Sequence, residues 1–335
     1  MVKAMIMAAG VGSRLDPLTQ NVPKPLIPIA NRPIMDILFE RLLDVSITDV
    51  VANTHYLSEK IVERYENNKL GINFNYVYEE TLSGTAGGVK KCQFFFNEGE
   101  DFLVLSADGL SNADLKVAIE AHKKSGAIAS MGIKKIALEE IPNFGVVVTD
   151  EEGFVTGFQE KPTIREAKSD CINTGIYIFN YKIFDYIPAD TFYDFAKNVF
   201  PDLLSKDIKI NTFPVEEYWS DIGTISQYAQ STQDLFNNLY EMKHSEIITT
   251  PKGAYITGKS YIAPSALFFG FNTIGNNCII GKNVVLKDCI IWDDVEIKDN
   301  LKLKNCIVAS HSEINIDIIN QVIGPNQLIN HGVYT

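Results

Sequence analysis

Two glycines, an arginine and a proline-flanked lysine follow one another within the first 25 residues. They read Ala9-Gly10-Val11-Gly12-Ser13-Arg14-Leu15, then Pro17-Leu18-Thr19, then Pro23-Lys24-Pro25-Leu26. Glycine lets a backbone turn sharply and approach a ligand with no Cβ in the way. Consecutive N–H groups in such a turn form an anion nest, and a guanidinium adds a planar fork for phosphate oxygens. Lys24 sits between two residues whose rings fix φ, so its ammonium rides on a stiff segment. Together these parts suit the grip of a triphosphate. A bare Gly-x-Gly after a strand is also what any tight turn looks like. A dinucleotide-binding turn fits poorly, because Leu15 stands where a third glycine belongs and Pro17, Pro23 and Pro25 break the helix that should follow.

Asp108 comes three residues after the apolar run Phe102–Leu105 and directly before Gly109. A carboxylate at the mouth of a sheet is a natural Mg²⁺ ligand beside phosphates. An Asp there is equally suited to cap the next helix. Taken alone, Asp221 in Tyr218-Trp219-Ser220-Asp221-Ile222-Gly223-Thr224 reads as a turn residue. Glu160-Lys161 before Pro162 reads as an exposed strand end.

The glycine loop, Arg14-Leu15, Pro17-Leu18-Thr19 and Pro23-Lys24-Pro25-Leu26 resemble the opening signature of the sugar-1-phosphate nucleotidylyltransferases, the NDP-sugar pyrophosphorylases. The resemblance implies that Ala9, Gly10, Gly12, Ser13 and Arg14 bind the nucleotide, with Glu80, Gly84 and Thr85 at its base. It implies Asp108 and Asp221 on one Mg²⁺, and Gly145, Glu160, Lys161, Asn173 and Thr174 at the sugar phosphate. Arg14, Lys24, Lys161 and Asp108 would carry the catalysis. Two departures stand out. Ser106-Ala107 replaces the family's Asn-Gly before the aspartate, and Ser83 is an extra residue before Gly84.

These residues need a sheet to position them. Ala4–Ala8, Asp49–Asn53 and Phe102–Leu105 read as buried strands, and Ile72, Phe74, Tyr76 and Tyr78 alternate as in a fourth. Ile34, Ile37, Leu38, Leu42 and Val45 share one helical face after Pro33, and 115–122 reads as another helix. The β-α-β order implies an α/β fold with a doubly wound, parallel sheet, and the resemblance makes it a Rossmann-like mixed sheet of the nucleotide-diphospho-sugar transferase type. Ligands of such sheets sit beyond the carboxyl ends of the strands.

Beyond position 250 the texture changes. Ile256, Ile262, Phe268, Ile274, Ile280 and Leu286 recur every six residues, and after a slip the period resumes at Ile291, Ile297 and Leu303. That period marks a hexapeptide, left-handed parallel β-helix of roughly four coils. The expected organisation is a catalytic domain over 1–240, a linker over 241–251 and the β-helix over 252–335.

The chain has 335 residues, enough for two cores, with a net charge of −12 and no blocks of Lys or Arg. That balance argues against a nucleic-acid or anionic-membrane surface. Five dispersed cysteines and no apolar run of membrane-spanning length suggest free thiols in a cytoplasmic protein. The expected reaction is NTP plus sugar 1-phosphate giving NDP-sugar and pyrophosphate. The whole pattern looks most like the bacterial mannose-1-phosphate guanylyltransferases, with uridylyl or thymidylyl transfer to glucose 1-phosphate as the runner-up. A non-catalytic nucleotide-sugar-binding regulator is a third reading. A fourth makes the β-helix an acyltransferase with His311 or His331 as base. A homo-oligomer assembled through the β-helix is expected, because terminal coils need cover.

Overall fold

The computed structural model describes residues 2–237, 239–240, 247–250 and 253–330. His331 and most of the expected linker lie outside them. The chain forms two compact units and passes between them at 11/12, 37/38 and 221/222. The first holds the described residues up to Val11 together with Leu38–Asp221. The second holds Gly12–Ile37 and the described residues from Ile222 onward.

The first unit is built on a mixed sheet. Strands β1 (Lys3–Met7), β2 (Asp49–Thr54), β3 (Asn73–Tyr78) and β4 (Asp101–Ser106) are parallel, in the order β4-β1-β2-β3. Ala4, Met5 and Ile6 are fully buried, as a strand covered on both faces requires. The short strand β5 (Gly109–Ser111) follows, then β6 (Ala129–Lys135), β7 (Gly145–Thr149), β8 (Val155–Glu160) and β9 (Cys171–Asn180). β9 runs antiparallel to β4, so the sheet is mixed and not parallel throughout, and β7 and β8 extend it as an antiparallel pair. β6 pairs with β9 and, in parallel, with β10 (Ile210–Pro214). β11 (Trp219–Asp221) pairs only with β5 among the described residues. Helix α1 (Ile34–Asp44) begins where expected, straight after Pro33, and α2 (Ser58–Tyr65), α3 (Gly84–Lys91) and α4 (Leu115–Ser125) follow. The side chain capping α4 is Asp114, which accepts from the N–H groups of Lys116 and Val117, so Asp108 is not spent as its cap.

The second unit contains a parallel β-helix with three strand faces. Tyr261–Ile262, Ile279–Ile280, Glu296–Ile297, Glu313–Ile314 and Leu328–Ile329 stack on one face, with successive coils of 18, 17, 17 and 15 residues. Three six-residue sides make 18, so the 17-residue coils account for the slip in the sequence period. Leu267–Ile274 and Val285–Ile291 each turn a corner and serve the two other faces. Ile274, Ile280, Leu286, Ile291, Ile297 and Leu303 all point inward and are buried. The corners carry stacked residues in the left-handed region, for example Asn277, Asp294, His311 and Asn326. Asn and Asp tolerate that conformation best after glycine. Among the described residues no helix is long and apolar enough to cross a membrane.

Candidate active site

In the first unit the chain leaves β1 at the carboxyl edge of the parallel strands. Ala9 is buried and Gly10 exposed. A Cβ on Gly10 would meet nothing within 4 Å, and its φ lies outside the left-handed region. Packing therefore gives no reason for glycine at this position.

β4 ends beside it, and Ser106 Oγ donates to Asp108 Oδ1 at 2.5 Å. β11 then brings the second carboxylate back. Asp221 lies opposite Gly109, the residue next to Asp108, and Trp219 lies opposite Ser111. Oδ1 of Asp221 is buried. The approach to β11 is held by Lys134, whose ammonium donates to the carbonyls of Glu217 at 2.6 Å and Val215 at 3.2 Å. Burial lowers the Lys134 pKa, opposed by the nearby Glu217 carboxylate. A small cavity of about 20 Å³ opens here between Ser106, Gly109, Thr174, Gly175, Trp219 and Arg41.

Glu160 pairs with Gly145 across β7 and β8. A Cβ on Gly145 would fall 2.7 Å from the Phe158 ring and 3.3 Å from Glu160 Oε2, so glycine there is required by packing. Lys161 is exposed, with a φ of 48°, and its N–H donates to Phe144 O. Asn173 lies in a bulge of β9. Its Nδ2 donates to the hydroxyl of Tyr177 at 2.7 Å, and its Oδ1 accepts the N–H of Gly175 at 3.0 Å. Burial pushes the Tyr177 phenol well above its usual range. Thr174 is buried, and its hydroxyl donates inward to Gly132 O, while its own carbonyl accepts the indole N–H of Trp219 at 2.9 Å. Thr174 thus presents no side chain outward.

The segment read as a base site has a second reason for its glycines. A Cβ on Gly84 would meet Tyr193 O at 2.4 Å. The N–H groups of Ala86 and Gly87 are both spent on that same carbonyl. Thr85 Oγ1 donates to Asp194 Oδ2 and accepts from Phe195 N. Glu80 is exposed.

Its neighbour Glu79 is 1% exposed, and nothing in the local sequence separates it from Glu80. Glu79 Oε1 accepts from Asn53 Nδ2, while Oε2 accepts from Ser83 N at 3.0 Å and from Lys91 at 3.3 Å. Asn53 Oδ1 in turn accepts the N–H of Ala8 at 3.0 Å. The available signal was a polar residue at the end of the apolar run Val50-Val51-Ala52. Gly88 lets α3 come this close, since a Cβ would lie 2.5 Å from Asn53 Nδ2.

In the second unit, Gly12 adopts a φ of 74°, and a Cβ there would crowd Thr19 and Lys24. Thr19 Oγ1 closes the loop by bonding to Gly12 O and Asp16 Oδ1. Ser13 and Arg14 are exposed, and Lys24 is buried in a short 3₁₀ turn entered from Pro23 at φ −66°. His311, the suggested acyl-transfer base, is an exposed corner residue 3.7 Å from Asp294.

A glycine loop follows a buried parallel strand, and Asp221 stands on the strand pair that Asp108 directly precedes, an arrangement fit for nucleotidyl transfer. The family model named Nucleotidyl transferase matches residues 3–238, and the chain belongs to this family. Its relatives place it among the sugar-1-phosphate nucleotidylyltransferases. It is 32% identical to the UTP–glucose-1-phosphate uridylyltransferase of Synechocystis, covering 92% of this chain and 87% of the relative. It is 33% identical to the mannose-1-phosphate guanyltransferase of Schizosaccharomyces pombe, covering 99% and 93%. A crystal structure of UDP-glucose pyrophosphorylase with UDP-glucose shares the fold over 71% of this chain and all of its own, at TM-score 0.62 and 21% identity.

Proposed function

We propose that the chain transfers a nucleotidyl group from an NTP to a sugar 1-phosphate, with GTP and mannose 1-phosphate as the preferred pair. The observation that supports the reading is the pairing of Asp221 with Gly109, the residue next to Asp108 in the chain. A phosphate oxygen of the sugar 1-phosphate attacks the α-phosphorus in line. The bond to the β-phosphate oxygen breaks, and pyrophosphate leaves with its electron pair. Arg14 and Lys24 take up charge on the triphosphate, Lys161 holds the attacking phosphate, and Glu160 and Asn173 orient the sugar. Catalysis is then positioning and charge neutralisation, with no protein nucleophile.

Asp108 and Asp221 would hold Mg²⁺. Two carboxylates are a fitting donor set, because Mg²⁺ keeps several waters and takes further oxygens from substrate phosphates. When bound, the ion would neutralise charge on the reacting phosphates. Thr174 acts from behind, as the residue that fixes β9 to β6 and Trp219.

The 32% identity to the Synechocystis enzyme favours a second reading, UTP with glucose 1-phosphate. Pyrophosphate release across a matrix of NTPs and sugar 1-phosphates tests both. Turnover with GTP and mannose 1-phosphate alone supports the first reading. No turnover with any pair leaves a binding regulator.

A further inference from the structure

The residues that carry the triphosphate signature belong to the same compact unit as the β-helix. Three contacts attach them to different coils. At one end of the segment Pro17 lies against the last coil, where a Cβ on Gly324 would fall 3.0 Å from Pro17 Cβ. At the other end, a hairpin formed by Pro28–Ile29 and Arg32–Pro33 turns through Ala30 and Asn31, both with positive φ. Asn31 Nδ2 donates to Ile274 O at 2.7 Å.

Between these lies a buried relay. Trp292 Nε1 donates to the Tyr228 hydroxyl at 2.8 Å, and that hydroxyl donates to Pro28 O at 2.7 Å. Tyr228 is fully buried and Trp292 is 3% exposed. The direction of the relay is fixed by chemistry. An indole N–H can only donate and a carbonyl can only accept, so the single phenolic proton must point to Pro28. Tyr228 stands on helix α5 (Ile225–Phe236), and Trp292 directly follows the strand Val285–Ile291.

We infer that Trp292 is a positioning residue for the segment carrying Arg14 and Lys24, acting through the Tyr228 hydroxyl on Pro28. The inference rests on the reading of Arg14 and Lys24 as triphosphate ligands. Three residues separate Lys24 from Pro28, and Pro25 stiffens that stretch. A shift of the Pro28 carbonyl is therefore passed on to the lysine with little slack. The β-helix is a part of the nucleotide machinery and more than an assembly surface.

The test compares full-length wild type with Trp292→Phe and Tyr228→Phe, each of which keeps an aromatic ring and removes one donor. Lys298→Ala, on the outer surface of the β-helix, serves as control. Hydrogen exchange over residues 12–31 is expected to quicken about fivefold in Trp292→Phe, the effect of one lost hydrogen bond, and by more in Tyr228→Phe, which breaks both bonds of the relay, with the rest of the β-helix unchanged. KM for the NTP should rise by a similar factor, with KM for the sugar 1-phosphate unmoved. Exchange over 12–31 at the wild-type rate overturns the inference, and so does an equal acceleration throughout the β-helix. If Trp292→Phe does not fold, Tyr228→Phe, which cuts the same relay at its middle, decides the outcome by the same readout. A wild-type protein that turns over no NTP refutes the activity, while the exchange data still decide the coupling.

Discussion

Asn53 donates its side-chain amide to Oε1 of Glu79 at 2.7 Å, and this one bond joins two segments that the resemblance assigns to the nucleotide. On one side Asn53 accepts from Ala8 N, where β1 opens into the glycine loop. On the other Glu79 accepts from Ser83 N, where the Gly84 segment begins. Both residues are buried, so each bond is made in a medium that strengthens it and penalises its loss.

Glu79→Gln tests this link. The amide that replaces one carboxylate oxygen must face Asn53 Nδ2, or else Ser83 N and Lys91, all of which donate. One buried clash of donors costs about 1–3 kcal/mol, so a fall in Tm of several degrees is expected. KM for the NTP should rise while KM for the sugar 1-phosphate stays put. Wild-type Tm and KM values would remove Glu79 from the account.

Asp108→Asn and Asp221→Asn keep volume and remove charge. Each should lower kcat by roughly 10²-fold or more, the scale of losing one preorganised charge contact. EDTA should abolish pyrophosphate release and Mg²⁺ restore it. Full activity in EDTA would end the metal assignment.

Gly10 and Gly12 separate ligand from fold. Gly10→Ala adds a methyl group into open space at an ordinary φ, so Tm should hold or rise slightly. Its effect should fall on the NTP, with KM up about tenfold or more if phosphate approaches this backbone. Gly12→Ala forces a side chain into the left-handed region and against Thr19, and should cost about 1–2 kcal/mol of stability. Equal Tm losses in the two variants would show that Gly10 also serves the fold.

His122 predicts a pH dependence. It is 2% exposed, with Nδ1 bonded to Ser130 Oγ at 2.8 Å and Nε2 3.5 Å from Asp101. Burial lowers its pKa more than Asp101 raises it. The folded state therefore resists protonation more than the unfolded state does. The stability contribution is complete above the unfolded value of about 6.5 and is lost as pH falls below it. Tm measured from pH 8 to 5 should drop more steeply in wild type than in His122→Gln. Parallel curves would contradict it. Ser130 is fully buried, so this Ser-His-Asp grouping is structural and not a nucleophile.

Much of this was legible because it depends on local chemistry. The six-residue period of Ile274, Ile280 and Leu286 can be satisfied only by stacked flat faces, and Ala4–Ala8 is too short and too apolar to be anything but a buried strand. What stayed hidden depends on three-dimensional partners. Glu79 and Glu80 are adjacent and chemically identical, and only the meeting of β2, β3 and α3 decides which is buried. The resemblance puts Gly84 at the nucleotide's base, yet Tyr193 already fills the space at Gly84 and Asn53 the space at Gly88. The Asn and Asp corners of the β-helix were printed in the sequence but fall outside its apolar period.

The last prediction concerns a chain cut near Met242. From sequence, every residue assigned to the reaction precedes that point, so such a fragment is expected to keep Mg²⁺-NTP binding. The contacts in the second unit reverse the expectation. Removing the β-helix takes away Ile274, Trp292 and Gly324, the partners of Asn31, Tyr228 and Pro17. Tyr228 then loses the edge-on contact of the Trp292 ring and the indole N–H to its hydroxyl. Two lost hydrogen bonds at about 1 kcal/mol each correspond to roughly thirtyfold weaker binding. The measurement is NTP affinity by calorimetry on a fragment shown to be folded by circular dichroism. A folded fragment that binds NTP as tightly as the full chain would mean that Gly12–Ile37 keeps its conformation unaided. The β-helix would then be an assembly surface alone.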